Sequence, residues 1–167
     1  MELKLASGEA VIDRFNSHVH NGVTHLLPDV FAKINSQGRH FLIEEVGFGQ
    51  PVGETICVVT GRDDQIVYAK RPKRFGHSRF VKNRKPEPCS AVTVILKRDD
   101  RDPYYVLITA FVGNRPEPEP WDRNANGNSR AFWESFSGRV SLDTKFSKMR
   151  VNRHSGGAEN RILCNTG

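Results

Sequence analysis

The chain has 167 residues, 37% of them hydrophobic and 26% charged, with a formal net charge of +6. This is enough chain for one domain of ordinary size and too apolar for an intrinsically disordered protein. No apolar run approaches the ~20 residues of a membrane helix and the N-terminus MELKLASGEAVIDRF is too charged for a secretory signal, so the expectation is a cytoplasmic protein, or a fragment of a larger one, without a membrane partner.

From residue 8 to 20, Val11, Ile12, Phe15 and Val19 recur at helical spacing behind Ser7 as a cap, which predicts an amphipathic helix ended by Asn21-Gly22. Pro28 then occupies the favoured first turn of a second, short helix whose Val30, Phe31 and Ile34 share a face. The period changes after Gln37-Gly38. Residues 41–46, 54–60 and 65–70 are short runs rich in β-branched and aromatic residues, and GRDD between the last two reads as a hairpin turn.

Residues 91–97 (AVTVILK) and 104–111 (YYVLITAF) flank the polar turn RDDRDP and form the clearest hairpin, apolar enough to lie at the centre of an antiparallel sheet. NRPEPEP (114–120) favours an extended, polyproline-like arm. SRAFWESF (129–136) suits two turns of helix, with Phe132, Trp133 and Phe136 packing back on the sheet or, beside the rigid arm, forming a partner interface. The fold class expected is α+β: N-terminal helices packed on a curved antiparallel sheet of about five strands, one domain over 1–142, then a weakly ordered tail over 143–167.

The charge is local. Residues 70–85, KRPKRFGHSRFVKNRK, hold eight lysines and arginines and no acid, so the rest of the chain is slightly negative. Cations for phosphates, with Phe75 and Phe80 for bases and His77 and Ser78 for hydrogen bonds or chemistry, suit a surface that binds a polyanion. Arg71, Arg74, Phe75, His77, Ser78, Phe80 and Arg84 are the candidate nucleic-acid contacts, with a solvated basic loop as the bland alternative.

A second cluster, His18, His20 and His25 in HVHNGVTH, offers imidazoles that act as base and acid near neutral pH. The alternatives are a helix-capping His18 with two ordinary surface histidines, or a metal site completed by Asp29. HxxxH and HExxH patterns are missing and no carboxylate cluster suggests two-metal chemistry, so no cofactor or metal is expected. Arginine and lysine beside a scissile phosphate, with a histidine to deprotonate a ribose 2′-hydroxyl, cleave RNA without a metal. Thr109, near the end of an apolar strand, either orients a phosphate or simply fills the strand. The three cysteines, Cys57, Cys89 and Cys164, have neither CxxC spacing nor an even count, and Cys57 reads as a small buried hydrophobe before it reads as a nucleophile.

The histidines before the sheet, the basic connection RFGHSRFVK and the hairpin SAVTVILKRDDRDPYYVLITAF together resemble the bacterial toxin ribonucleases of the barnase, EndoU, colicin and RelE type, whose domains often end near a VTVVL…YYVVTAYP hairpin. The resemblance covers residues 17–111; Phe111-Val112-Gly113 replaces the usual aromatic-proline ending. It implies a metal-independent endoribonuclease, toxin-like, giving a 2′,3′-cyclic phosphate, with RNA as substrate and an acidic inhibitor or antitoxin protein as a further partner. His20 or His25 would then be base or acid, Arg79 and Lys82 would hold the phosphate, and Thr109 with Ser78 would orient it. The alternative is a non-catalytic nucleic-acid-binding or protein-interaction module using the same 70–85 segment.

Overall fold

The computed structural model describes residues 3–14, 22–70, 75–82, 84–85, 87–139, 149–152 and 160–164. The chain divides into two compact units, Met1–Thr55 with Glu87–Arg115 (unit 1) and Ile56–Pro86 with Pro116–Gly167 (unit 2).

Unit 1 is built on the hairpin of β9 (Ala91–Lys97) and β10 (Tyr104–Val112). β3 (Phe41–Gly47) pairs antiparallel with β9 along its whole length, while β2 (Ala10–Ile12) pairs parallel with β10 and antiparallel with β1 (Leu3–Lys4), giving the order β1-β2-β10-β9-β3. Alternation along β9 turns Val92, Val94 and Leu96 inward, all fully buried. In β10 the register slips between Leu107 and Thr109, and the buried positions change from Tyr105 and Leu107 to Ala110 and Val112. Ile108, at the slip, is left 49% exposed.

One face of this sheet is covered by a 3-10 turn (Thr24–Leu26) running into α1 (Leu27–Phe31), with Pro28 in its first turn. Val23, Leu27, Val30, Phe31 and Ile34 join the inward residues of the sheet in one core. Each side chain of this size contributes roughly 1.5–3 kcal/mol when fully buried, so the sheet makes a five-residue helix viable that would not persist alone. A separate two-stranded ribbon, β4 (Gly53–Glu54) with β8 (Pro88–Cys89), pairs Gly53 with Cys89 and Glu54 with Pro88.

The N-terminal part corrects the expected architecture. Residues 10–12 are strand, not helix, and residues 15–20 of the expected helix lie outside the described residues. Two β-branched residues, Val11 and Ile12, favour extended backbone, and Gly8 at φ +99° turns the chain so that β1 and β2 pair. Among the described residues one short α-helix, rather than a pair of N-terminal helices, packs on this sheet, and the molecule is a mixed α/β protein dominated by several sheets.

Unit 2 holds a six-stranded mixed sheet in the order β12 (Met149–Asn152), β13 (Asn160–Cys164), β6 (Gln65–Lys70), β7 (His77–Lys82), β11 (Phe136–Arg139) and β5 (Cys57–Val59). Its antiparallel centre is β6 (Gln65–Lys70) with β7 (His77–Lys82), so the basic segment is half strand rather than a long loop. The expected hairpin about GRDD does not form: β5 pairs with β11 instead of β6, both of whose edges are taken, by β7 and by β13. β11 also runs parallel to β7. Part of the expected tail joins the sheet, as β13 (Asn160–Cys164) pairs parallel with β6 and antiparallel with β12 (Met149–Asn152).

Before β11 comes α2 (Gly127–Ser135), started by a capping box in which Asn126 accepts from the backbone and Ser129 returns a bond to the Asn126 N–H. Among the described residues, no helix is long and apolar enough to cross a membrane.

Candidate functional site

The register of the β6–β7 hairpin sets Tyr68 opposite Arg79 and Lys70 opposite His77. Strand alternation puts Tyr68, His77 and Arg79 on one face and Ala69, Ser78 and Phe80 on the other. Residues of the proline-rich arm and of α2 meet the first face around a pocket of about 640 Å³. Its lining includes Tyr68, His77 and Arg79 from the strands, Glu119 and Trp121 from the arm, and Asn126, Ser129, Arg130, Trp133 and Glu134 from α2 and its cap.

Both tryptophans of the chain stand here. The Trp121 Nε1–H donates to the His77 carbonyl at 3.0 Å. The Trp133 Nε1–H is shared between the carbonyls of Glu117 (2.9 Å) and Pro118 (3.2 Å). Each indole is therefore fixed by a backbone acceptor, and Trp133 makes an edge contact with Phe132, whose ring stacks on Phe136 at 4.2 Å.

Arg79 is a clamp as well as a pocket wall. Its Nη1 donates to the carbonyls of Trp133 and Phe136, the last turn of α2 and the start of β11, where helical carbonyls lack intrahelical donors. Its Nε is buried and finds no acceptor among the described residues. Ser78, buried on the other side of β7, donates its hydroxyl to Glu119 Oε1 at 2.9 Å. Arg130 and Glu134 pair at 3.2 Å across one helical turn, both well exposed. Among the described lining residues the formal charges balance, Arg79 and Arg130 against Glu119 and Glu134.

Of the expected contacts, the structure brings His77 and Arg79 together in this pocket. Lys82 is exposed and, three residues from Arg79 in an unbroken strand, projects from the opposite face. Phe80 packs on Val67 and Ala69. Arg84 pairs with Asp64 at 2.5 Å. Phe75 is 97% exposed. His18, His20, Arg71 and Arg74 lie outside the described residues. His25, exposed in the 3-10 turn, and Thr109, half-buried beside the slip in β10, belong to unit 1, whereas Arg79 belongs to unit 2, so neither unit by itself contains the expected catalytic set.

Sequence reasoning missed Tyr68, Glu119, Trp121 and Arg130. The sequence places Trp133 with Phe132 and Phe136 in core packing or a partner interface; the nearness of Trp121 to the proline-rich arm is the signal that could have added it. Burial pushes the Cys57 thiol up to about 11, which disfavours the nucleophilic thiolate at neutral pH. Among the described residues, no group of three or more His, Cys, Asp or Glu is placed to hold a metal ion.

No family model matches the chain, no curated protein matches it, and no solved structure matches it. The functional reading rests on the site itself.

Proposed function

We propose that unit 2 is an RNA-binding module that engages single-stranded RNA at the pocket and along the basic segment. The observation that supports it is the convergence of Trp121, Trp133, Tyr68, His77 and Arg79 on one pocket, fed by the strand that ends the cation-rich run. Rings that stack on bases, beside cations that track phosphates, are the chemistry of single-strand binding. The test is binding of a labelled single-stranded RNA to the full chain. Affinity better than about 100 µM at moderate salt, weakening as salt rises, is expected; a chain that fails to bind at that level overturns the reading.

A second reading, a metal-independent endoribonuclease, is favoured by one observation: His77 lines the same pocket as Arg79 and Glu134. In that reaction His77 takes the proton of a ribose 2′-hydroxyl and the 2′-oxygen bonds to phosphorus. The P–O5′ bond then breaks, with the 5′-oxygen taking a proton from water. Cleavage that persists in EDTA and disappears in His77→Ala supports it. Cleavage that survives His77→Ala but is lost in His20→Ala or His25→Ala moves the chemistry to the N-terminal histidines. Intact RNA under all conditions leaves binding as the whole function.

A further inference from the structure

We infer that the pocket of unit 2 takes a single unpaired nucleobase, and that it recognises the ring of that base rather than a phosphate; the inference rests on the RNA-binding reading above. A pocket of about 640 Å³ falls within the range that holds a ligand the size of a nucleotide. Tyr68, Trp121 and Trp133 supply aromatic walls, and both indole N–H groups are already engaged by backbone carbonyls. What the indoles offer a ligand is therefore ring surface and not a donor. The same bonds hold the rings in place before anything binds, which removes an ordering cost from the binding step.

Charge points the same way. The basic segment as a whole is strongly cationic, but the described lining of the pocket beside it is not: Arg79 and Arg130 are offset by Glu119 and Glu134, and the Arg79 Nη1 is committed to the carbonyls of Trp133 and Phe136. A balanced pocket gives little net attraction to a phosphate, while carboxylate and guanidinium at its rim suit the mixed donors and acceptors on a base edge. Division of labour follows, with exposed lysines of the segment such as Lys70, on the same face as Tyr68, tracking the backbone and the pocket receiving one base. A base inside a duplex has both faces stacked and cannot enter, so single strands are selected.

The chain provides its own probe, since both of its tryptophans line this pocket and tryptophan emission reports on nothing else. The experiment titrates the full chain with nucleoside 5′-monophosphates, ribose 5-phosphate, inorganic phosphate, a short single-stranded RNA and the matching duplex, following tryptophan emission and, for the labelled RNAs, anisotropy. The monophosphates and the single strand should quench, and ribose 5-phosphate, phosphate and duplex should not. Tyr68→Ala should weaken mononucleotide binding roughly five- to a hundredfold, the range for loss of one stacking ring, and Tyr68→Phe should restore it. Competition by ribose 5-phosphate equal to that of the nucleotides overturns the inference in favour of an anion site. RNA that binds by anisotropy without quenching, and is not displaced by mononucleotides, overturns it while leaving the RNA-binding reading intact. Quenching by mononucleotides without binding of the oligomer sustains the base pocket and removes the RNA reading. Silence in every titration removes both.

Discussion

Gly76 lies against Trp121 so closely that a Cβ added to it would fall inside the van der Waals envelope of the indole Cγ, Cδ1 and Cδ2. The glycine is thus the floor on which the indole rests, and the bond from Nε1 to the next residue's carbonyl holds the ring there. Gly76→Ala should push Trp121 out of place and destabilise unit 2 by about 1–3 kcal/mol, the usual cost of overpacking. A shifted tryptophan emission maximum together with a lowered unfolding midpoint is the expected pair of results. An unchanged emission spectrum would place the ring elsewhere.

Arg79 joins the pocket to the helix that covers it. Arg79→Ala removes its bonds to the carbonyls of Trp133 and Phe136 and should cost roughly 1.5–3 kcal/mol, as for hydrogen bonds from a charged donor. Arg79→Lys should recover only part, because the shorter lysine side chain does not carry its nitrogen to the position of Nη1, from which both bonds are made. Chemical denaturation of the three proteins, read by tryptophan emission, orders them wild type, Lys, Ala.

Acid should weaken the two units through different groups. In unit 1, hydrogen bonds from Ser36, at 2.5 Å, and Ser7 hold the Glu9 carboxyl below its ordinary value of 4.5. In unit 2 the Gly61 N–H and then Arg84 hold Asp64 below 3.8. In both cases the unfolded chain binds the proton more readily, so the contribution is complete above the ordinary value and is lost as pH falls through the lowered one. Denaturation midpoints measured downward from neutral pH should therefore decline in this acid range. Ser36→Ala should reduce the Glu9 component and Asp64→Asn should abolish the Asp64 component; a decline unaltered in both variants would contradict the assignment.

Cys57 offers a kinetic test of burial. With its thiol at about 11, roughly one molecule in a thousand carries the thiolate at pH 8, and alkylation should be slow. In denaturant the same cysteine should react at least tenfold faster as its thiol returns to the ordinary range. Peptide mapping after a timed pulse of iodoacetamide separates it from the other two cysteines.

The parts of the fold that could be read from the sequence are those in which local pattern and long-range pairing agree. Strand β6 matches the 65–70 run end to end and β9 matches 91–97, because continuous apolar, β-branched stretches have no competing helical reading. α1 was signalled by Pro28 and by the shared face of Val30, Phe31 and Ile34. Val11 and Ile12 misled because their spacing fits a helix as well as a strand, and the parallel edge of β10 that decides between them is more than ninety residues away in the chain.

The site was half legible for a similar reason. HSRFVK alternates His77 and Arg79 with Ser78 and Phe80, a period of two that announces a strand, but the charge of the segment suggested a loop. Trp121, Trp133 and Glu119 reach His77 and Arg79 only through the return of the arm over the β6–β7 hairpin, and no local pattern encodes that return. The two Pro-Glu stretches did carry information of another kind, since the crossings from one unit to the other at 86–87 and 115–116 fall within or next to them.

The ribbon of β4 and β8 also sets a rule for how this chain can be cut and rejoined. Across it the Thr55 N–H bonds to the Glu87 carbonyl at 3.0 Å, so the first exit from unit 1 and the return to it stand side by side like two doorposts, before the chain leaves again at 115–116. Everything between, Ile56–Pro86, is in topological terms a guest whose two ends meet. A tight turn could replace that guest without moving either doorpost, which makes unit 1 the host frame of the molecule. During synthesis the host must also wait: β3 emerges first, and its partner β9 follows only after the first half of unit 2 has been made.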